Sequence, residues 1–235
     1  MALHKDFPKD PYAILNPEIR WFPADEDLRE KGFEKLIPPL VAELRKKVKA
    51  WRDNNYDGAS ETSKALLTWW FKEEHTLYNQ DGSSYNFRYY FSQREALETV
   101  VWLYEVAQVK DKYDLIRYNS TGVLSPQMFT EDWLRFVIKM ATGAGKTKVM
   151  SLAIAWAYFH KLYEEGSNLA KNFLLIAPNV IVFERIKNDF EGNKIFFLDP
   201  VVPDNGYMGQ NWQDDFQITL HLQDDLRNVS DTGNI

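Results

Sequence analysis

Apolar positions along the chain recur with two different periods, and the change from one to the other marks its organisation. From Ile37 they stand at Ile37, Leu40, Val41, Leu44, Val48 and Trp51, the three-and-four spacing of one face of an amphipathic helix. The opposite face carries Arg45, Lys46, Lys47, Lys49 and Arg52, which reads either as a solvated face or as a strip able to meet phosphates. Further on, "YNFRYYFSQREALETVVWLYEV" opens with aromatics and continues with Ala96, Leu97, Val100, Val101 and Tyr104 on one helical face. Ser92 and Glu95 stand at capping-box spacing, so the helix is predicted to begin at Gln93.

The second half reads differently. "LRFVIKM" is a short apolar run with the character of a strand, and Lys146 to Tyr163 is apolar on nearly every side, as expected of a helix buried against a sheet. "FLLIAP" reads as a second strand, and Asn179 is placed to cap a third helix ending near Phe190. Strand, helix, strand, helix predicts an α/β fold with a mainly parallel sheet, to which "FQITLHL" adds one more candidate strand. "NNYDGAS" and "NQDGSS" are turn clusters flanking "ALLTWWF", a buried segment of undetermined type; a domain boundary is placed near Ser84. Residues 1–84 then form a mostly helical N-terminal extension, its first 33 residues an irregular arm, and residues 85–235 the α/β lobe. Gln108 to Asp132 is a long connection or small insertion.

Composition narrows the chemistry. The 235 residues include no cysteine and four scattered histidines, which removes disulfide frameworks and thiolate metal sites and disfavours a dedicated metal centre. The longest apolar run, Leu152 to Phe159, is far too short to span a bilayer, and the N-terminus lacks the apolar stretch of a signal peptide. A soluble, cytoplasmic protein with no membrane association is expected. The net charge of −6 gives no global footprint for nucleic acid, so any such contact is local.

The chemistry-bearing stretch is "VIKMATGAGKTKVM". A tight loop between a strand and a helix surrounds a phosphate with backbone N–H groups while the helix points its positive dipole end at the anion. Thr142, Gly143, Ala144 and Gly145 form that loop, Lys146 is placed to reach the β and γ phosphates, and the Thr147 hydroxyl is placed to ligate magnesium. A nucleoside triphosphate with Mg2+ is the expected cofactor, with Lys146 and Thr147 the catalytic pair. Met140 departs from the strict pattern, which has glycine at that position.

Together "KMATGAGKTKVM", "LLIAPNVIVFERI" and "YYFSQREALETVVWLYEV" resemble superfamily 2 helicases and translocases, in particular the Res subunit of type III restriction enzymes. In that family methionine commonly precedes this loop. The resemblance covers roughly Tyr85 to Phe190 and implies a RecA-like lobe, here incomplete, of an ATP-dependent DNA translocase or helicase with a methyltransferase partner subunit. It implies that Gln93 reads adenine, whose Hoogsteen edge pairs with an amide. It also implies that Pro178, Asn179 and Arg185 contact the tracked strand, with the N–H groups of the helix start binding a phosphate. Tyr89, Tyr90 and Phe91 are candidates to stack on the base. The acidic box that positions the attacking water in such motors is not found; Asp224 and Asp225 are decoys, and the box, second lobe and nuclease are expected beyond Ile235. Two other readings stay open: a P-loop phosphotransferase acting on a small substrate, and a non-catalytic nucleotide-gated module of a defence complex.

Overall fold

The computed structural model describes residues 40–119, 122, 124–128 and 135–222. In chain order the main elements are α1 (Val41–Asp53), α2 (Glu61–Phe71), β1 (His75–Tyr78), β2 (Ser84–Phe87), α3 (Phe91–Val101), α4 (Lys112–Ile116), α5 (Lys146–Tyr163), α6 (Val180–Phe190), α7 (Lys194–Phe197) and α8 (Trp212–Asp215). They fall into two compact units, one built from residues up to 59 and from 90 to 139, the other from 60 to 89 and from 140 onward. Each unit therefore draws on both sides of Ser84.

In the first unit α1 buries Leu44, Val48 and Trp51, the face its spacing predicts. Its basic strip is not uniformly solvated. Arg45 pairs with Glu95 at 2.5 Å and Arg52 with Glu98, so two of the cations tie α1 to α3. Glu98 is fully buried and also accepts from Arg94 Nε at 2.7 Å and from the Tyr56 hydroxyl at 2.7 Å. That hydroxyl in turn accepts from Arg94 Nη2 at 2.9 Å, which closes the network. Burial, reinforced by the Glu98 carboxylate, pushes the Tyr56 phenol well above its ordinary pKa. Tyr56 sits at φ 60, an uncommon angle for a side chain of this size, held by that network and by an edge contact with Trp51 at 4.9 Å. A π turn, Trp102–Val106, continues α3.

α3 starts two residues before Gln93. Its N-cap is Tyr90, and the reciprocal pair is Tyr90 with Gln93: the Tyr90 N–H donates to Gln93 Oε1 and the Gln93 N–H donates to the Tyr90 carbonyl, both at 2.9 Å. The Ser92–Glu95 box expected from residue preference is displaced by this earlier one. An amide at the third helical position serves the box as well as a carboxylate does.

In the second unit the undetermined segment "ALLTWWF" is helix α2, capped by Ser60, whose side chain accepts from the Ser63 N–H at 3.1 Å. β1 and β2 form an antiparallel hairpin around the "NQDGSS" turn, pairing His75 with Phe87 and Tyr78 with Ser84. α5 runs over the predicted residues. Its Trp156 donates to Ser63 Oγ of α2 at 2.7 Å, and its Phe159 packs on Trp212 and Phe216 at 4.8 and 5.4 Å between ring centres.

The mainly parallel sheet is not found: among the described residues the hairpin is the one sheet. Residues 135–140, 172–178 and 216–222 carry no strand ladder. Residues 172–178 nevertheless alternate in burial one by one, the two-residue period of a strand. Residues 173–177 line a mainly apolar cavity of about 350 Å3 together with Ile218, Leu220 and Leu222, and within that run Leu174 and Ile176 stand 78% and 80% exposed. Apolar runs specify segments with two faces to cover, whereas a parallel ladder depends on distant partners coming into register. Residues 1–39, the start of "LRFVIKM" at Leu134, and Asp224 and Asp225 lie outside the described residues.

Candidate functional site

The loop before α5 is shaped by two glycines in the left-handed region, Gly143 at φ 81 and Gly145 at φ 75. Gly145 is the N-cap of α5. A Cβ on Gly143 would meet nothing within 4 Å, so it is the backbone angle that calls for glycine there. The turn is closed by the Ala144 N–H, which reaches the Ala141 carbonyl at 3.3 Å.

The start of α5 differs from the starts of the other two long helices of this unit. α2 is capped by Ser60 and α6 by Asn179, each through a side-chain oxygen, whereas no side chain caps α5. An 18-residue helix thus presents its positive end toward the loop with no side-chain cap, while the Lys148 N–H of its first turn donates to the Gly145 carbonyl at 3.0 Å. Lys146 is exposed, and its Nζ donates to the Ala141 carbonyl at 2.9 Å. The ammonium is folded back on its own loop, one neutral contact away from swinging to an anion. These features fit a polyphosphate. Thr147, half-buried on the first turn, is the one hydroxyl beside Lys146 on this helix start. Among the described residues no cluster of three or more acidic, histidine or cysteine side chains could hold a metal ion by itself, so a magnesium ion here would share its ligands with a bound nucleotide.

Asn179 acts as a cap: its Oδ1 accepts the Val182 N–H at 3.0 Å. Pro178, Asn179 and Arg185 are all exposed, in the same unit as the loop. Gln93 lies in the other unit. Its side chain is only 2% exposed, so a base would reach the amide only if the residues around it open. Of the three aromatics before it, Tyr89 and Phe91 are buried; Tyr89 meets Phe71 and Phe87 edge-on at 5.9 and 4.9 Å, and Arg52 lies 5.1 Å over the Phe91 ring. Tyr90, 67% exposed, is the one that offers its ring to solvent.

One pairing at this site has no counterpart in the sequence reading. Lys148, on the first turn of α5, forms an ion pair with Asp199 and lies 5.2 Å over the Phe87 ring. The partners are 51 positions apart, and no local pattern announces them.

No helix among the described residues is long and apolar enough to cross a membrane. No curated protein and no solved structure matches the chain. A family model described as "Type III restriction enzyme, res subunit" matches residues 84–223, which takes in α3, the glycine loop, α5 and the Asn179-capped helix. With more than half of its length inside that match, the chain belongs to the type III restriction enzyme res subunit family.

Proposed function

We propose that the chain binds ATP with magnesium through residues 142–147 and supplies the nucleotide-binding part of a DNA-dependent ATPase that moves along or opens DNA. Family membership supports an ATP-dependent, helicase-like motor in general terms. The observation that carries the reading to these residues is the helix start at Gly145: uncapped by any side chain, opened by left-handed glycines, and flanked by an ammonium parked on a backbone carbonyl. Bound there, a triphosphate would take the N–H groups of the loop and first turn, Lys146 would bridge toward its terminal phosphates, and Thr147 would offer its hydroxyl to the magnesium ion. The metal neutralises charge on the transferring phosphate. Gln93 is assigned to adenine, and Pro178, Asn179 and Arg185 to the nucleic-acid backbone. A methyltransferase subunit is the partner this reading implies, and the cytoplasm its compartment.

The test is ATP turnover with and without DNA in a protein containing this chain. Stimulation by DNA that Asn179→Ala or Arg185→Ala blunts, with ATP binding retained, is the expected result. Turnover indifferent to any nucleic acid would favour a phosphotransferase instead.

A further inference from the structure

The segment after α7 is an anchor for the start of α5. Three consecutive residues there each receive a donor from a different position of the unit. Asp199 takes the Lys148 ammonium, the Pro200 carbonyl takes the Trp69 indole N–H at 3.0 Å, and the Val201 carbonyl takes the Trp70 indole N–H at 2.7 Å. Val201 and Val202 are buried, and the Val202 N–H returns to the Phe196 carbonyl at 3.2 Å. This strap is tied to α2 by two tryptophans and to the first turn of α5 by one ion pair.

Lys148 is two positions past Lys146, about 200° around the helix, so the two ammonium groups leave α5 on nearly opposite sides. Lys146 faces its loop; Lys148 faces Asp199 and the Phe87 ring of the hairpin. The glycine cap leaves the helix start without a side-chain bond of its own, and the chain entering the loop over residues 135–140 has no regular structure. Fixing the direction of the first turn therefore falls to contacts made from its far side, and the charged one among them is Lys148–Asp199.

We propose that Asp199, acting through Lys148, is a positioning residue for the phosphate loop: it fixes the direction in which the first-turn N–H groups and Lys146 meet a triphosphate. This rests on the phosphate-binding reading above but adds to it a residue 51 positions away that touches no substrate.

The two single variants change local charge in opposite directions, which separates positioning from simple electrostatics. Asp199→Asn removes a negative charge near a polyanion site, and Lys148→Met removes a positive one. If the pair acts only through its field, the first variant tightens MgATP binding and the second weakens it. If the pair positions the loop, both weaken binding by a similar factor, about 3- to 10-fold, and the exchanged pair Lys148→Asp with Asp199→Lys recovers most of the loss. Calorimetric MgATP affinities of the full chain, with melting temperatures as a fold control, read this directly. Opposite-signed changes, or unchanged affinity in both variants, overturn the proposal. Should Asp199→Asn fail to fold, Asp199→Glu and Lys148→Arg, which keep the charges and alter the reach, are expected to weaken binding by a smaller factor, and unchanged affinity in both would equally overturn it. If the unaltered chain binds no MgATP, or Lys146→Ala binds as well as it does, the nucleotide reading itself fails.

Discussion

The backbone N–H of Tyr90 donates to Oε1 of Gln93 at 2.9 Å, and since a backbone N–H can only donate, this bond fixes which end of the Gln93 amide is oxygen. An amide free to turn over could match adenine one way and guanine the other. One held in place presents a single donor–acceptor order. Gln93→Ala is expected to weaken ATP binding by about 1–3 kcal/mol and GTP binding much less. Tyr90→Pro deletes the donating N–H at φ −66, an angle proline adopts without strain, and is expected to narrow the preference for ATP over GTP. Tyr90→Ala keeps the N–H and is expected to preserve that preference. Dissociation constants for both nucleotides decide; equal affinities in the unaltered chain would leave Gln93 a capping residue only.

On the proposed binding mode Lys146→Ala removes a charge-assisted contact to phosphate, and a loss of roughly 1.5–3 kcal/mol in MgATP affinity is expected. In the free protein this ammonium meets a carbonyl at an exposed position, so the same substitution is expected to leave the melting temperature nearly unchanged. Titration calorimetry paired with a thermal melt checks both halves.

Glu98→Ala removes the carboxylate shared by two guanidiniums, Arg52 and Arg94, whose side chains are 14% and 10% exposed. Breaking a buried ion network from its centre costs about 3–5 kcal/mol, and chemical denaturation is expected to show a loss of that order. Tyr56→Phe, which removes one partner of the same carboxylate, is expected to cost less.

Asn179→Ala is expected to destabilise by about 0.5–2 kcal/mol through the lost cap, and Asn179→Gly by only a few tenths. The comparison isolates the cap from any contact with nucleic acid. If the glycine variant is stable yet fails to respond to DNA, Asn179 does more than cap.

What the sequence made legible was local. The bounds of α5 and the Asn179 cap of α6 follow from composition and spacing within a few residues, because a glycine N-cap, a long apolar run and an asparagine oxygen act over one turn. The start of α3 lies two residues before the predicted one because Ser92 and Glu95 are the preferred residue types for a box that Tyr90 and Gln93 in fact make. The hairpin leaves little mark in the sequence because its strands are four residues each, and β1, His-Thr-Leu-Tyr, shows no clean alternation of apolar and polar positions. Lys148 with Asp199, and Arg52 with Glu98, are pairings between remote parts of the chain, and a charged residue carries no local mark of its partner. The parallel sheet was inferred from apolar runs whose ladder the described residues do not form.

The bare side of residues 172–178 bears on how the chain behaves in concentrated solution. Leu174 and Ile176 are exposed on a stretch whose main chain carries no ladder hydrogen bonds, and Val180 and Ile181 are exposed at the start of the helix that follows. Such a stretch is a template on which a second molecule can lay its own extended backbone and cover its apolar side chains in the same step. A net charge of −6 spread over 235 residues sets a modest repulsion against this, and added salt shortens its reach. Precipitation should therefore rise with salt and protein concentration together, and a charged residue in place of Ile176 should suppress it.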